Sequence, residues 1–493
     1  MTPQMGATSE TTNTPLQEAR SLFVAGSWER TDAVYERFDP ANLQRSTGRF
    51  SMAAPDSIDA AYQAAAAAQR GWAAEPAPRR ADVLRRAADL LEAGADAAAM
   101  RATSDMGKAV RDARAEALRS AAIFRYFAGE LLQATGAVYP SASVDTTLMT
   151  IEQPLGVVCV ITPWNFPLAI PSWKLAPALG FGNAVVWKPA EAASGSAVLL
   201  TKILSDAGVP PGVLNLVTGK GGEMSQALMQ HKNVAAVTFT GSGAVGTRLR
   251  QMVADRNVKV QLELGGKNPA VVLADADLPD AAFQIVRGAM LCTGQRCTAT
   301  SRVYVEREVA SRLHVLLVDE IARLTVGDPF DERTDVGPLA STEQRDTVGG
   351  YLDLARSEGA EILVGGSLGQ GCFATPTLLT GVSPESALMR DEIFGPVLIT
   401  QEVDGFEDAL AAANDTEYGL SSALFTRDLA KALDFVRRTE SGVVHINRET
   451  AGVEPHVPFG GMKGSSNMHR EQGTAARQFF TTTKTVYLRT TRP

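Results

Sequence analysis

Apolar residues in the first third of the chain recur at the spacing of an α-helix. Three segments, 55–75, 79–100 and 112–136, place alanine, leucine and other apolar side chains three and four positions apart. This period predicts a buried stripe along each of three amphipathic helices. Alanine also has the highest intrinsic helix propensity, and Asp56 is a suitable N-cap for the first helix.

A short alternating strand is predicted over 147–153, and short, unbroken apolar runs follow it. A first series covers 156–162, 183–188, 212–219, 234–241 and 258–264, and a second covers 269–274, 301–306, 361–366, 396–403, 421–426, 442–447 and 483–489. Helical patterns separate many of these runs. Strands that are apolar on both faces and alternate with helices form parallel sheets covered on both sides, so the predicted fold class is α/β.

Two of the runs, 147–153 and 483–489, look like a separate β arm. A lone ribbon is marginally stable in water, so we expect this arm to pack against another subunit. The chain has 493 residues, more than a single hydrophobic core usually supports, which predicts at least two domains.

The composition narrows the class of protein. The formal net charge is −8 and the basic residues are scattered, so the chain lacks the basic stripe of a nucleic-acid binder. No apolar stretch reaches about 18 residues, which argues against a membrane span. Residues 1–20 are polar and lack an apolar signal core, so we interpret them as a disordered lead-in and the protein as cytoplasmic.

The cysteines and histidines predict neither a disulfide framework nor a metal site. The spacing of the four cysteines is typical of neither a disulfide framework nor a zinc site; they are Cys159, Cys292, Cys297 and Cys372. We interpret Cys159 as structural and Cys292 as a packing residue on an apolar helical stretch. The five histidines include no i,i+4 pair, so no metal ligand set is expected.

Cys297 differs from the other cysteines in its surroundings. Its neighbours Gln295, Arg296 and Thr298 are polar, which favours an exposed turn. A thiol becomes a nucleophile where local dipoles or cations favour its thiolate. A lone cysteine is more commonly buried and inert, and the flanking residues alone leave both interpretations open.

A glycine-rich turn follows the run 234–241. Gly241, Gly243 and Gly246 spell G-x-G-x-x-G at the start of a predicted helix, a geometry that lets backbone N–H groups approach a diphosphate. The acidic residue expected about 20 positions later is Glu263. Because two glycines follow Glu263 closely, we interpret it as a residue that faces an open cleft and weigh it for catalysis.

Polar residues also end two other apolar strands. Asn165 follows the run 156–162; its amide can donate to a developing oxyanion, or it can cap the next helix. Lys188 and Glu191 follow the run 183–188. Adjacent strand ends of a parallel sheet are where nucleotides bind, although Lys188 can also be a surface lysine.

Seven ordered motifs make the chain similar to the aldehyde dehydrogenase superfamily. They are PWNFP (163–167), KPAE (188–191), FTGSGAVG (239–246), LELGGKNP (262–269), GQRC (294–297), EIFGPV (392–397) and PFGGMKGS (458–465). The resemblance covers the chain from about residue 20 to the end. It implies a Rossmann-type cofactor domain, an α/β catalytic domain and a small β oligomerisation arm.

The resemblance also implies domain boundaries and partners. We expect a cofactor-binding domain over 21–135 and 154–262, a catalytic domain over 263–446, an oligomerisation arm over 136–153 and 478–493, and a return segment to the cofactor domain over 447–477. The expected partner is a second copy of the chain in a homodimer or homotetramer. A small-molecule aldehyde is the expected substrate, and neither nucleic acid nor membrane is expected as a partner.

In this family pattern Cys297 is the nucleophile that attacks an aldehyde carbon. The side chain of Asn165 and the backbone N–H of Cys297 hold the oxyanion. Glu263 then activates the water that hydrolyses the thioester. A water-activating carboxylate argues against transfer of the acyl group to coenzyme A.

The resemblance assigns the cofactor contacts as well. The implied cofactor-binding residues are Trp164, Lys188, Glu191, Gly241, Ser242, Gly246, Glu392 and Phe394. Glu191 can accept from both hydroxyls of the adenosine ribose and would repel a 2′-phosphate, so NAD is preferred and NADP is the alternative. Gly243 departs from the threonine common at its position, so we expect Gly241 and Gly246 to matter more.

The substrate pocket is predicted to contain Phe166, Trp173, Arg296, Thr298 and Phe459. Residues 446–473 resemble the subgroup that oxidises α-ketoglutaric semialdehyde (2,5-dioxopentanoate), which is the best substrate prediction. Succinic semialdehyde is an alternative, but two positions that often carry arginine in enzymes for it hold Trp173 and Leu291. Aromatic or aliphatic aldehydes are a further alternative. Arg296 either holds a substrate carboxylate or points away and supports the loop.

Two functions of other classes compete with this one. A thiol hydrolase would use Cys297 without a cofactor, but the cofactor motifs argue against it, as does the lack of a nearby histidine in sequence. A non-catalytic relative would not need Asn165, Glu263 and Cys297 together. The three residues therefore favour an enzyme.

Overall fold

The computed structural model describes residues 21–489. The lead-in predicted over 1–20, and the last residues of the predicted arm, lie outside the described residues. Every apolar run named above contains a strand. The strands are β1 (Leu22–Val24), β2 (Ser27–Glu29), β3 (Val34–Asp39), β4 (Asn42–Ser51), β5 (Val138–Tyr139), β6 (Thr146–Pro154), β7 (Val157–Thr162), β8 (Ala184–Pro189), β9 (Leu214–Leu216), β10 (Val234–Thr240), β11 (Lys259–Glu263), β12 (Asn268–Val272), β13 (Thr300–Glu306), β14 (Glu361–Val364), β15 (Thr377–Thr380), β16 (Val397–Val403), β17 (Ser421–Phe425), β18 (Val443–Ile446) and β19 (Thr481–Arg489).

The helices pack around these strands. They are α1 (Pro55–Ala74), α2 (Ala77–Ala93), α3 (Ala95–Met106), α4 (Val110–Glu130), α5 (Ala169–Gly180), α6 (Ser194–Asp206), α7 (Gly221–Gln230), α8 (Gly243–Met252), α9 (Leu278–Met290), α10 (Arg307–Ala322), α11 (Thr342–Ser357), α12 (Ala387–Arg390), α13 (Phe406–Asn414), α14 (Leu429–Arg438) and α15 (Gly473–Phe480).

Three helix predictions differ from the structure in detail. The segment predicted over 112–136 is α-helical only as far as Glu130. The segment 79–100 forms parts of two helices, because α2 ends at Ala93 and is followed by Gly94, a residue with low helix propensity. Asp56 lies in the first turn of α1 and is not its N-cap, since Pro55 opens the helix. Proline suits that position because its missing N–H would have no partner there.

The two large sheets have seven strands each. The first has the order β11-β10-β7-β8-β9-β1-β2, and the second has the order β14-β15-β16-β13-β12-β17-β18. Strands β7 to β11 run parallel, as do β12, β13 and β15 to β18. A third, antiparallel sheet has the order β19-β6-β5. The α/β fold class predicted from the sequence is confirmed.

Alternate residues of the central strands point to opposite faces of their sheet. In β7, Val158 and Val160 belong to one buried cluster, and Val157 and Cys159 to another. A strand buried on both faces must be apolar at every position, which is why these strands read as continuous apolar runs.

The strand order of the first sheet reverses next to β7. Strands β8 and β9 follow on one side of it, whereas β10 and β11 lie on the other. The carboxyl ends of β7 and β10 therefore diverge into a crevice, the place where open α/β sheets bind their ligands. No helix among residues 21–489 is long and apolar enough to cross a membrane.

Candidate active site

Cys297 lies in a sharp turn after α9. The helix ends at Met290, and Cys292, Thr293 and Gly294 then adopt left-handed backbone angles with φ of 53°, 59° and 65°. Cys292 therefore lies just beyond the helix, where the sequence suggested a helical stretch. A Cβ on Gly294 would lie 2.2 Å from a backbone oxygen, so this turn requires glycine.

The loop after the turn is held by Asn268, a residue that sequence reasoning did not single out. Its amide donates to the carbonyl oxygens of Cys297 and Ala299, both at 2.8 Å. Its oxygen accepts from the backbone N–H of Ser421 at 3.0 Å. A side chain with three fixed partners locks the position of the nucleophile.

Cys297 and Asn165 line one cavity of about 270 Å³. Cys297 is partly exposed in it. Asn165 is buried, and its Nδ2 donates to the carbonyl of Gln295 at 3.0 Å. An amide carries two N–H donors, so one is free to meet an oxyanion beside the sulfur.

Glu263 ends β11, with 2% of its surface exposed. Its Oε2 accepts from the Ser466 hydroxyl at 2.6 Å, and its Oε1 has no hydrogen-bond partner. A Cβ on Gly460 would lie 2.8 Å from Oε1. Burial and the nearby Glu471 raise the pKa of Glu263 well above its usual value.

Glu471 belongs to a buried polar network that the sequence did not reveal. It is ion-paired with Lys174, which donates to Thr238 Oγ1 at 2.8 Å. Thr238 in turn donates to Gln261 at 2.8 Å. Lys174 and Glu471 are 297 positions apart, so no local pattern signals the pair.

The acidic surroundings also act on the nucleophile. Burial, followed by the charges of Glu392, Glu263 and Glu471, raises the pKa of Cys297 to about 12. The thiol form is therefore favoured in the free protein. A cation placed in the cavity would shift this balance towards the thiolate.

The crevice between β7 and β10 has the features of a dinucleotide cradle. Trp164, Gly241 and Ser242 line the same cavity as Cys297. Helix α8 starts at Gly243, and a Cβ at this position would meet no atom within 4 Å. A ligand can therefore approach the backbone N–H groups at the start of the helix closely. Thr240 Oγ1 is buried there without a hydrogen-bond partner. Buried polar groups are normally hydrogen-bonded, so this hydroxyl is available to bind a polar ligand.

Gly246 has a packing role in the structure. A Cβ at this position would lie 2.6 Å from Leu264 Cδ2. The residue therefore lets α8 approach the chain beyond β11. Its place in the motif is explained by helix packing.

Lys188 and Glu191 lie at the end of β8 and just beyond it, one strand further from the cavity. Glu191 accepts from the N–H of Gly221 at 3.3 Å, and Lys188 donates to the Pro189 carbonyl at 2.9 Å. Burial lowers the pKa of Lys188 to about 8, against the opposing charge of Glu191. This cluster lies at the same strand edge as the crevice and fits the adenosine end of a dinucleotide.

Glu392 and Phe394 close the other side of the cavity. Glu392 accepts from the N–H of Gly266 at 3.0 Å, and a Cβ on Gly265 would lie 2.1 Å from its carboxylate. Burial raises the pKa of Glu392 to about 7. Phe394 meets Trp164 edge to face at 5.4 Å. The residues around the cavity therefore fit a nicotinamide dinucleotide.

The aromatic residues predicted for the substrate pocket are not among those that line the cavity of Cys297, but each has a close partner. Trp173 and Phe459 stack with centroids 6.2 Å apart. Phe166 lies under the Lys108 ammonium, 3.8 Å from ring centroid to Nζ. Trp173 and Phe459 are therefore brought together from distant parts of the chain.

Thr298 and Arg296 lie on either side of the nucleophile in sequence. The Thr298 carbonyl accepts from the Thr450 hydroxyl at 2.7 Å. The Arg296 guanidinium faces Glu449 at 3.8 Å, an arrangement that favours the loop-supporting interpretation over a carboxylate contact.

No histidine lines the cavity that holds Cys297. Among residues 21–489, no group of three or more histidine, cysteine or acidic side chains is placed to bind a metal ion.

Comparisons with known proteins agree with this geometry. The aldehyde dehydrogenase family model matches residues 28–486. The chain is 41% identical over 475 residues to the α-ketoglutaric semialdehyde dehydrogenase of Bacillus subtilis (strain 168), covering 95% of this chain and 97% of that relative.

Solved structures have the same fold over nearly the whole chain. The NAD-dependent aldehyde dehydrogenase of Sinorhizobium meliloti superimposes with a TM-score of 0.94 at 34% identity, covering 98% of this chain and 97% of that one. Betaine aldehyde dehydrogenase from Staphylococcus aureus, solved in complex with NAD+, gives 0.92 at 31% identity, covering 96% and 95%. The chain therefore belongs to the aldehyde dehydrogenase family, and it is an NAD(P)-dependent aldehyde dehydrogenase.

Proposed function

We propose that the protein oxidises α-ketoglutaric semialdehyde to the dicarboxylic acid. The reaction class rests on one observation above all: Cys297, Asn165 and the glycine turn at Gly241 line a single cavity. The substrate rests on the relative that is 41% identical over nearly the whole chain and is named for this semialdehyde.

The reaction starts at the sulfur of Cys297. Its thiolate attacks the aldehyde carbon and forms a thiohemiacetal, while the Asn165 amide and the Cys297 backbone N–H donate to the new oxyanion. Bound NAD(P)+ supplies the acceptor for the hydride that leaves this carbon. The carbon is then held on Cys297 as a thioester.

Glu263 completes the reaction. Its unpartnered Oε1 takes a proton from water, and the resulting hydroxide attacks the thioester carbonyl. The thiolate of Cys297 leaves, the carboxylic acid is released, and Glu263 returns its proton to solvent. Because burial raises the pKa of Glu263, this step accelerates as pH rises until the carboxyl is ionised.

Trp164, Gly241 and Ser242 would hold the diphosphate, and Glu392 with Phe394 would position the nicotinamide ribose and ring. Gly246 would act indirectly, by packing α8. A carboxylate at Glu191 favours the two free hydroxyls of NAD over the 2′-phosphate of NADP.

The protein acts as a homodimer or homotetramer in this proposal. The sheet β19-β6-β5 exposes large apolar side chains, with 74% of Tyr487 and 74% of Val138 accessible in the single chain. Exposed apolar surface of this kind is typical of a subunit contact. All four cysteine thiols are free, which fits a reducing, cytoplasmic environment.

Reduction of NAD and of NADP should be followed at 340 nm across four aldehydes, with Cys297→Ala as the blank. The aldehydes are α-ketoglutaric semialdehyde, succinic semialdehyde, benzaldehyde and hexanal. We expect the highest kcat/KM with α-ketoglutaric semialdehyde and NAD. Equal or higher kcat/KM with a neutral aldehyde would contradict the substrate, and activity in Cys297→Ala would contradict the nucleophile.

A further inference from the structure

The proposed substrate carries a carboxylate at the end remote from its aldehyde, and the inference below rests on that proposed function. Arg296 is a poor receptor for this anion. Its guanidinium faces Glu449 at 3.8 Å, and the charge of Asp112 also acts on it. A cation already compensated by carboxylates attracts a further anion weakly.

Helix α4 places another cation near the substrate side. Asp112, Glu116 and Arg119 are at positions i, i+4 and i+7, so they share one face of the helix. Asp112 accepts from Cys292 Sγ at 3.5 Å, in the turn before the nucleophile. Glu116 accepts from the N–H of Leu168 at 2.8 Å, at the start of α5. This face therefore contacts the turn before Cys297 and the start of α5, and Arg119 lies one turn beyond Glu116.

Arg119 differs from the other three arginines of α4. Arg111, Arg114 and Arg125 each form ion pairs with carboxylates. Arg119 forms none with any residue in 21–489, although its side chain is half-buried. One of its N–H groups donates to the carbonyl of Val453. A half-buried guanidinium without an anionic partner is available for an anionic ligand.

Val453 lies in a segment that contacts predicted pocket residues on both sides of it. Thr450 of this segment donates to the carbonyl of Thr298, directly after the nucleophile, at 2.7 Å. Further along, Phe459 stacks on Trp173. Val453 lies between these two contacts, so the hydrogen bond from Arg119 ties α4 to this segment.

We propose that Arg119 binds the remote carboxylate of the substrate. Arginine has five N–H donors in a planar fork, and the bond to Val453 uses one of them. The remaining edge can hold a carboxylate in a bidentate fashion. The enzyme would then select aldehydes by a carboxylate at the far end of the chain, with the aromatic rings lining the path to Cys297.

The test compares an anionic with a neutral aldehyde. Wild type, Arg119→Met and Arg119→Lys are assayed with α-ketoglutaric semialdehyde and with hexanal at saturating NAD. For Arg119→Met we expect kcat/KM with the semialdehyde to fall roughly 10- to 100-fold, chiefly through KM, because a charge-assisted hydrogen-bond pair is lost. With hexanal the value should stay within about twofold, and Arg119→Lys should restore part of the preference.

Arg125→Met is the matched control, because Arg125 lies on the exposed face of α4. This variant should leave kcat/KM unchanged with both aldehydes. Equal losses with both aldehydes, or an unchanged preference, would overturn the assignment of Arg119. If Arg119→Met does not fold, Arg119→Lys provides the test, through the ratio of kcat/KM with the semialdehyde to kcat/KM with hexanal. A wild-type enzyme that prefers hexanal would overturn the substrate class itself, which distinguishes that failure from a wrong residue.

Discussion

The cofactor side and the substrate side of Cys297 are built by different means. On the cofactor side, short strand ends carry glycines, and a Cβ on Gly265 would collide with Glu392. Around the predicted substrate pocket, Trp173 stacks on Phe459, and the next residue, Lys174, forms a buried ion pair with Glu471. The cofactor side depends on glycines, which leave space because they have no side chain. The substrate side depends on contacts between side chains that are far apart in the sequence.

This difference predicts different responses to substitution. A glycine that must stay small fails abruptly when any atom is added, because backbone or a fixed carboxylate occupies the space. A charge network responds gradually, since its members shift one another's pKa values without moving far. The experiments below test that contrast, beginning where the two sides meet.

The largest effect is expected for Glu263→Gln. The amide cannot take a proton from water, so steady-state turnover should fall roughly 10²- to 10⁴-fold. Hydride transfer precedes this step, so stopped-flow absorbance should show a burst of about one reduced cofactor per active site. Ser466→Ala removes the hydrogen bond to Oε2 but keeps the carboxyl, and should turn over continuously. Normal turnover in Glu263→Gln would show that another group activates water.

A smaller effect, confined to the cofactor side, is expected for Gly265→Ala. The new Cβ would lie 2.1 Å from Glu392 Oε2, so the carboxylate must move. Misplacement of about 1 Å can cost roughly 100-fold in rate, and kcat/KM for NAD should fall by about that factor.

The control for this variant is Gly350→Ala, where a Cβ in α11 meets no atom within 4 Å. That variant should be unchanged in activity and slightly more stable, by up to about 1 kcal/mol. NAD binding should be measured by fluorescence titration. If Gly265→Ala binds NAD normally, the cofactor side accepts an added methyl group, and the proposed contrast between the two sides is wrong.

The smallest effect on turnover is expected for Glu471→Gln, on the substrate side. The charge of Glu471 raises the pKa of both Glu263 and Cys297, so its removal lowers both. A lower pKa means more ionised base and thiolate at a given pH, and the acid limb of kcat against pH should move to lower pH.

The same variant leaves Lys174 buried without its carboxylate, which should reduce the free energy of unfolding by about 3 kcal/mol. Thermal unfolding measured alongside the pH profile separates the two consequences. A shift of the acid limb to higher pH would contradict the assigned direction of the charge effect.

Most of the strands and the first helices, α1 to α4, were predictable from the chain alone. Buried parallel strands must be apolar throughout, and amphipathic helices must repeat every three to four residues, so both patterns are local. The early strands β1 to β5 and the short β15 were not predicted. Their residues are mixed in polarity or few in number, as in β3, where buried and exposed positions do not alternate cleanly.

Part of the candidate active site was also predictable from the sequence. Cys297, Asn165 and Gly241 were named from turns and motifs, and the structure brings them to one cavity. Asn268 was missed although it lies within a recognised motif, because nothing in the sequence shows that its amide holds the nucleophile loop.

The sequence by itself determined the fold class, the family motifs and the small residues at the strand ends, since each depends on a handful of neighbouring positions. Only the tertiary structure decided the electrostatics of the substrate side. Arg296 faces Glu449 across 152 intervening positions, and Arg119 lacks such a partner. Charge compensation depends on distances between side chains far apart in sequence, and those distances exist only once the two sheets and their helices have packed together.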